Sequence, residues 1–435
     1  MRDHSNHVEF SRKQAVATML EATGWTELDL EAAGATTLPR TEMVNLADAF
    51  GRVLAFDTHS TVDAPTCLTC CMDSIAVHWA SFEDGTEPDT SAWVRGVDWE
   101  FANTGIAMPE GFDTAIAIEN VEVSEDQQHV RITACPSKLN AGTRPAGEKL
   151  QVGATTAKAG TVITPDVAAD IAAGNVSKVE VMRKPKVVFI PTGNELVRPG
   201  LPISAGKAFA GYGKNMETNS LLVQGKTQAW GGEYLGFDIV PDEPALISAA
   251  ILKACRMADI VVLNAGSSKG SDDWSVEQME ELGTVYYHET NHGPGHHSSF
   301  AMVEGTPVVG ISGPAGGASF TLDFYLRPLM RAFLGLSTEG RMVAAKLTEP
   351  FPMRKHGSAG PKKGEERGNI VAPKKRFFGV KPVLVEWLDD GTVTATPVAG
   401  RPGSSEAAHA NALFMLTNDP ENQPKPGDVI KVELR

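Results

Sequence analysis

The chain has 435 residues, 42% of them hydrophobic and 21% charged, with a formal net charge of −15. That length predicts two to four domains, and the acidic balance argues against a general nucleic-acid binder and against docking on an anionic membrane surface. No stretch approaches the roughly 20 apolar residues of a bilayer span, the first seven residues lack the apolar core of a secretory signal, and five cysteines make no disulfide scaffold, which predicts a reducing, cytoplasmic setting.

Apolar residues at helical spacing predict helices over 11–20 (Ala15, Met19) and 42–54 (Met43, Leu46, Ala47, Phe50, Leu54). From Asp63 to about Val152 short apolar runs such as Ile116-Ala117-Ile118 and Val130-Arg131-Ile132 are broken by Gly, Pro and Asp, the pattern of a strand-rich domain. Thr164-Pro165 then places a cap and a proline at the start of a helix ending near Ala173. After Pro185 the pattern alternates. Strands are predicted at 187–190, 233–239, 259–263, 285–288 and 307–311, with helices at 219–229, 243–257, 275–282 and 318–334. Such alternation demands crossovers, hence a largely parallel sheet covered on both faces. From Arg341 onward short strands return (383–385, 393–396, 429–432), around a basic segment at 354–376 that reads as an exposed loop.

Ligands of parallel sheets bind at the carboxyl ends of the strands, so the loops there are the candidates. Pro191-Thr192-Gly193-Asn194-Glu195 offers backbone N–H groups, a hydroxyl and a carboxylate, although turn residues after a strand are commonplace. Gly266, Ser267, Ser268, Lys269 and Gly270 can form an anion-cradling nest. Asp272 and Asp273 follow it, as a helix cap or as ligands of a Mg²⁺ that also holds phosphate oxygens. Gly310-Ile311-Ser312-Gly313-Pro314 precedes a long apolar helix and lets a ligand approach the backbone. Four histidines between His288 and His297 invite a metal reading, but Gly293-Pro294-Gly295 breaks the helix that an i,i+4 pair would need. Histidines lining a phosphate crevice, or a plain loop, are the other readings. Cys67-x-x-Cys70-Cys71 has no second cysteine pair at useful spacing.

Taken in order, these loops resemble the molybdopterin molybdenumtransferases, the family that includes the gephyrin E domain. Asp63-Ala-Pro65 with Met72-Asp73-Ser74-Ile75-Ala76-Val77 is similar to the family's D-x-P…M-D-G-Y-A-V, and Asn103-Thr104-Gly105-Ile106-Ala107-Met108-Pro109 to T-G-A-x-x-P. Arg144-Pro-Ala-Gly147-Glu148 resembles R-x-x-G-E-D, Thr192-Gly-Asn194-Glu195-Leu196 resembles T-G-D-E-L, and Glu217-Thr-Asn219 stands where the family has D-x-N. Val240-Pro-Asp242-Glu243 looks like V-x-D-D, Ala265 to Asp273 like G-G-x-S-x-G-x-x-D, and Gly403-Ser404 fits a late G-S segment.

The resemblance implies an elongated four-domain chain of α/β and β type. A discontinuous helical/linker domain would occupy 1–57 and 150–183, and an inserted strand-rich domain 58–149. A mostly parallel α/β ligand-binding domain would follow at 184–338, then a C-terminal β-domain at 339–435. It also implies a homodimer that takes adenylylated molybdopterin and molybdate, with Mg²⁺ assisting, and releases AMP, with molybdoenzymes as clients. Carried over by position, the catalytic residues would be Asp73, Thr104, Arg144, Glu195, Asp242 and Asp273. Glu195, Asp242 and Asp273 would hold the metal. Thr192, Gly193, Asn219, Gly266, Ser268, Lys269, Gly270, His296 and Gly313 would bind the pterin nucleotide.

The chain departs from the pattern at several of these positions. The family's K-P-G-K-P cleft loop is here Gly293-Pro294-Gly295-His296-His297, and its G-L-P-G-N-P is Gly310-Ile-Ser-Gly313-Pro314-Ala315. Two ammonium groups are thereby lost, and a histidine such as His296 or His297 supplies only a partial charge near pH 7. A non-catalytic pterin-binding or scaffold protein is therefore the alternative expectation.

Overall fold

The computed structural model describes residues 9–25, 40–202, 210–265, 274–352, 377–400 and 405–435. The chain divides into two compact units, residues 41–182 and the remainder.

In the larger unit, the helix Arg12–Thr23 starts on a capping box, in which Ser11 accepts from the Gln14 N–H and the Gln14 side chain accepts from Ser11. A six-stranded sheet follows, built from β1 (Lys186–Ile190), β2 (Glu233–Leu235), β3 (Ile260–Ala265), β4 (Gly283–Tyr287), β5 (Ser299–Val303) and β6 (Thr306–Ser312), in the order β2-β1-β3-β6-β5-β4. The four strands β2, β1, β3 and β6 run parallel. Val187 to Ile190 and Ile260 to Leu263 are all fully buried, as a sheet covered on both faces requires. Val188, Ile190, Val261, Leu263 and Val308 pack with Ile247 and Ile251 of the helix Pro244–Cys255 and Met279 of the helix Ser275–Leu282.

Two details of this sheet depart from expectation. Ser299–Val303 is a strand that periodicity did not mark, antiparallel to both β6 and β4. Its signal was the turn Glu304-Gly305, where both residues take positive φ (48° and 79°), as a tight hairpin demands. The long helix runs as Ala315–Thr321, then a π turn at Leu322–Leu326, then Arg327–Phe333. The wider turn carries Asp323, ion-paired to Lys226 and, at 2.8 Å, to Arg435, and Tyr325, whose hydroxyl lies 2.6 Å from His292 Nε2.

The C-terminal strands Phe378–Trp387, Val393–Pro397, Met342–Leu347, Val429–Leu434 and Ala412–Thr417 pair in that order, and the last pairs back to the first. They close a small barrel around Ala345, Val383, Val385, Ala395, Ile430 and Val432.

In the smaller unit, the helix predicted over 42–54 is absent. Thr41–Asn45 is a strand antiparallel to Lys178–Met182, followed by a short 3-10 turn at Leu46–Asp48. Met43 and Phe50, two of the apolar positions at helical spacing, are exposed. Pairing with a strand some 130 positions away overrides local periodicity here. The helix Pro165–Ala173 forms, with Thr164 Oγ1 accepting the Val167 N–H. The strand-rich part holds the three-stranded sheet Trp99–Ala102, Ser74–Val77 and Thr114–Ala117 over a core of Ile75, Val77, Phe82, Trp99, Ile116, Val130 and Ile132.

Candidate functional site

At the carboxyl ends of the parallel strands the described residues form one hydrogen-bonded array. Thr192, just past β1, donates from Oγ1 to the Asn264 carbonyl at 2.9 Å. Asn264, near the end of β3, donates from Nδ2 to the Thr192 carbonyl at 3.3 Å, and its Oδ1 accepts from Asn219 Nδ2 at 3.1 Å. Asn219 opens the helix Asn219–Ala229 and also donates to the Gly313 carbonyl, at 2.9 Å, in the turn after β6. Ser275 Oγ donates to the Asn264 carbonyl at 3.3 Å. Thr192, Asn219, Asn264 and Ser275 are each more than nine-tenths buried. Thr192, Asn219 and Gly313 were expected here, and the structure brings them together. Asn264 is a member of the array that the sequence reading does not single out. Its signal was a polar residue closing the apolar run Val261-Val262-Leu263.

The loop after β1 is zipped to the segment around Asp242. Gly193 N–H donates to the Val240 carbonyl at 3.1 Å, and Val240 N–H to the Pro191 carbonyl at 2.8 Å. Asn194 N–H reaches Asp242 Oδ2 at 2.8 Å, while Asp242 N–H reaches Asn194 Oδ1 at 3.3 Å. An aspartate at 194 would turn that acceptor into a second charge beside Asp242. Lys214 Nζ adds a cation by donating to the Asn194 carbonyl at 2.6 Å. Glu195 is exposed and its carboxylate folds over Gly193, where a Cβ would lie 2.7 and 2.8 Å from the two carboxylate oxygens. With φ at +145°, residue 193 also needs glycine's conformational freedom.

Glu217, at the first position of the D-x-N match, is internal. It is 3% exposed, pairs with Arg198 Nη1 at 2.7 Å, and accepts the Ser220 N–H at 2.9 Å, holding the start of the helix. Arg198 also donates to Ser220 Oγ and to the Phe237 carbonyl. Burial beside this pair raises the Tyr234 hydroxyl above its ordinary value.

In the smaller unit Asp73 Oδ1 accepts both the N–H and the hydroxyl of Thr104, each at 3.1 Å. The strand Thr69–Cys70 joins this pair to Arg144. It pairs with Thr143–Arg144, and Gly105 N–H donates to the Cys70 carbonyl at 2.8 Å. Asp73, Thr104 and Arg144 are all exposed, and Arg144 pairs with Glu148 at 2.6 Å. Of the nearby cysteines, Cys70 is buried with its thiol directed at the Met72 carbonyl, and all five cysteines of the chain are free.

The histidine loop divides into two environments. His288 and His292 are buried, and burial, with the charge of Arg12, pulls His292 down to about 4. His296 is exposed and lies against His297, with ring centroids 3.7 Å apart and the rings tilted by 44°. Gly266, Ser268, Lys269, Gly270 and Asp273 lie outside the described residues. Among the described residues no three His, Cys, Asp or Glu side chains gather as a metal-holding group. The carboxylates of Glu195 and Asp242 are hard oxygen donors of the kind Mg²⁺ takes one or two of beside phosphate oxygens. The space over Gly193 that a side chain would fill is given to one of them.

Two family models match the chain. The model for the MoeA N-terminal region (domain I and II) covers residues 11–174, and that for a probable molybdopterin binding domain covers 188–332. Among curated relatives, a molybdopterin molybdenumtransferase of Haemophilus influenzae is 26% identical over 68% of this chain and 74% of its own length. Molybdopterin molybdenumtransferase 2 of Mycobacterium tuberculosis is 25% identical over 71% and 80%. The crystal structure of a molybdopterin biosynthesis MoeA protein from Pyrococcus horikosii superposes with a TM-score of 0.71 at 22% identity, covering 99% of both chains.

Proposed function

The chain belongs to the molybdopterin molybdenumtransferase family, enzymes of molybdenum cofactor biosynthesis, and from that premise we propose that it inserts molybdate into adenylylated molybdopterin and releases AMP. The observation that carries this reading is the buried array joining three strand-end segments through Thr192, Asn219, Asn264 and Gly313. It builds a rigid mouth where parallel sheets take nucleotide-like ligands.

In this reading Thr192, Gly193, Asn219 and Gly313 receive the pterin nucleotide. Gly266, Ser268, Lys269 and Gly270 cradle its phosphates through backbone N–H groups and an ammonium, and His296 adds partial positive charge. Asp73 orients the Thr104 hydroxyl, and Thr104 with the Arg144 guanidinium admits molybdate, whose oxygens suit a planar fork of donors. Glu195, Asp242 and Asp273 would hold Mg²⁺, which when bound neutralises the pyrophosphate and the departing AMP phosphate. The same proposal makes the chain a cytoplasmic homodimer of four domains that passes its product to molybdoenzymes. Its five free cysteines suit a reducing compartment.

A turnover assay on the wild type is the first test, read as Mg²⁺- and molybdate-dependent release of AMP. Glu195→Ala and Asp273→Ala should each abolish that release while melting like the wild type. Activity retained in both rejects the metal set. Tight binding without AMP release from the wild type would instead make the protein a pterin-binding scaffold, the reading that the loss of both cleft lysines favours.

A further inference from the structure

Two backbone carbonyls fix the orientation of both amides in the strand-end array. The Thr192 carbonyl can only accept, so the Asn264 atom 3.3 Å away is Nδ2, and Asn264 Oδ1 faces Asn219. The Gly313 carbonyl likewise can only accept, so the Asn219 atom 2.9 Å away is also nitrogen. Either amide turned over would set oxygen against oxygen. Asn219 thus spends its donors on Asn264 and Gly313, and its Oδ1 is buried with no partner among the described residues. Ser312 Oγ, one residue before Gly313, is a second buried oxygen without a partner among the described residues. A buried carbonyl-type oxygen left unpaired costs stability, and here the bonds to Asn264 and Gly313 prevent it from rotating away.

We propose that Asn264 is a positioning residue: it locks Asn219 so that Oδ1 meets the ligand only as an acceptor, and the ligand group seated there is an N–H or O–H donor, not a phosphate oxygen. This rests on the functional reading above and adds to it which part of the ligand the array reads. The bridging diphosphate of the adenylylated ligand is fully ionised, brings only acceptors and would face Oδ1 unfavourably. A pterin N–H or a ribose hydroxyl completes it.

The experiment measures dissociation constants by calorimetry for adenylylated molybdopterin, molybdopterin, AMP and inorganic pyrophosphate, with melting curves for every variant. Asn219→Ala should weaken adenylylated molybdopterin about tenfold, the size of one lost hydrogen bond, and leave pyrophosphate within about twofold. Whichever of molybdopterin or AMP inherits the loss carries the donor. Asn264→Leu should weaken adenylylated molybdopterin about tenfold as well. Asn264→Thr should recover at least half of that loss in free energy, because a hydroxyl donates to one neighbour while accepting from another. Unchanged affinity in Asn219→Ala, a loss shared equally by pyrophosphate, or equal losses in the leucine and threonine variants overturns the proposal. So does a Leu variant that melts lower but binds like the wild type, since that is a purely structural role. If Asn264→Leu does not fold, Asn219→Ala leaves the bonds between Asn264 and Thr192 in place and carries the test alone. A wild type that binds none of the pterin ligands removes the functional reading itself, whereas a binding wild type with unaltered variants removes only this inference.

Discussion

The mouth around Asn219 and the shelf around Asp73 draw on the same small polar side chains and differ in almost everything else. In the mouth Thr192, Asn219 and Asn264 are buried and bonded across loops far apart in sequence: Thr192 to Asn264, Asn219 to Gly313. On the shelf Asp73, Thr104 and Arg144 lie exposed, with short-range partners such as Glu148. A buried neutral hydrogen bond contributes about 1 kcal/mol net, and breaking one so that a partner is left unpaired costs about 1–3 kcal/mol. An exposed pair is worth about 0–1 kcal/mol. The mouth is therefore fixed before any ligand arrives, while the shelf gains its worth only from what it contacts.

The contrast is broken most severely at the other end of the same sheet. Asp259, 5% exposed, binds Arg183 through two bonds of 2.7 and 2.9 Å and accepts the Lys186 N–H at 2.7 Å. Asp259→Ala should cost about 3–5 kcal/mol by removing the buried carboxylate that Arg183 and the Lys186 N–H share, measured by urea denaturation, with ligand affinity of the folded protein unchanged. Next in size is a pH effect. The folded-state value of His292, about 4, lies below the ordinary 6.5, so the unfolded chain binds the proton more readily. Stability is full above pH 6.5 and falls as pH drops towards 4, by up to about 3 kcal/mol. A His292→Gln variant should lose that slope between pH 6.5 and 4, whatever its stability at pH 7.

Smaller effects sharpen the comparison. Thr192→Val removes one hydroxyl bond in the mouth and should lower stability by about 1 kcal/mol while weakening the pterin nucleotide. Asp73→Asn and Thr104→Val should change stability by less than about 0.5 kcal/mol, yet reduce AMP release at least about tenfold. Loss of stability without loss of turnover at the shelf would reverse the distinction. Arg144→Ala should be nearly neutral to thermal melting, given that its partner Glu148 is half exposed, and its effect should appear as a raised KM for molybdate.

Much of the fold was legible because local signals agreed with the global arrangement. The helices Asn219–Ala229 and Ser275–Leu282 and the strands at 187–190 and 260–263 follow from apolar spacing, caps and length. Loop order likewise marked Thr192 and Gly313, because strand-end turns in a parallel sheet point to a common crevice, while Asn219 was marked only by the family resemblance. Where local and long-range preferences disagreed, the sequence was misleading. Residues 42–54 carry a helical apolar period, but 41–45 pair with 178–182 as a strand.

What the chain determined by itself was composition, periodicity and the residue types at each strand end, since these depend on nearest neighbours and on burial of one face. Only the tertiary structure decided that Glu217 is an internal ion-pair partner and that Asn264 is the hub of the mouth. It alone decided that the 315–333 helix widens into a π turn where Asp323 and Tyr325 find partners. Each of these depends on which distant group supplies the missing donor or acceptor, and hydrogen-bond satisfaction in a buried place is a property of the assembled fold.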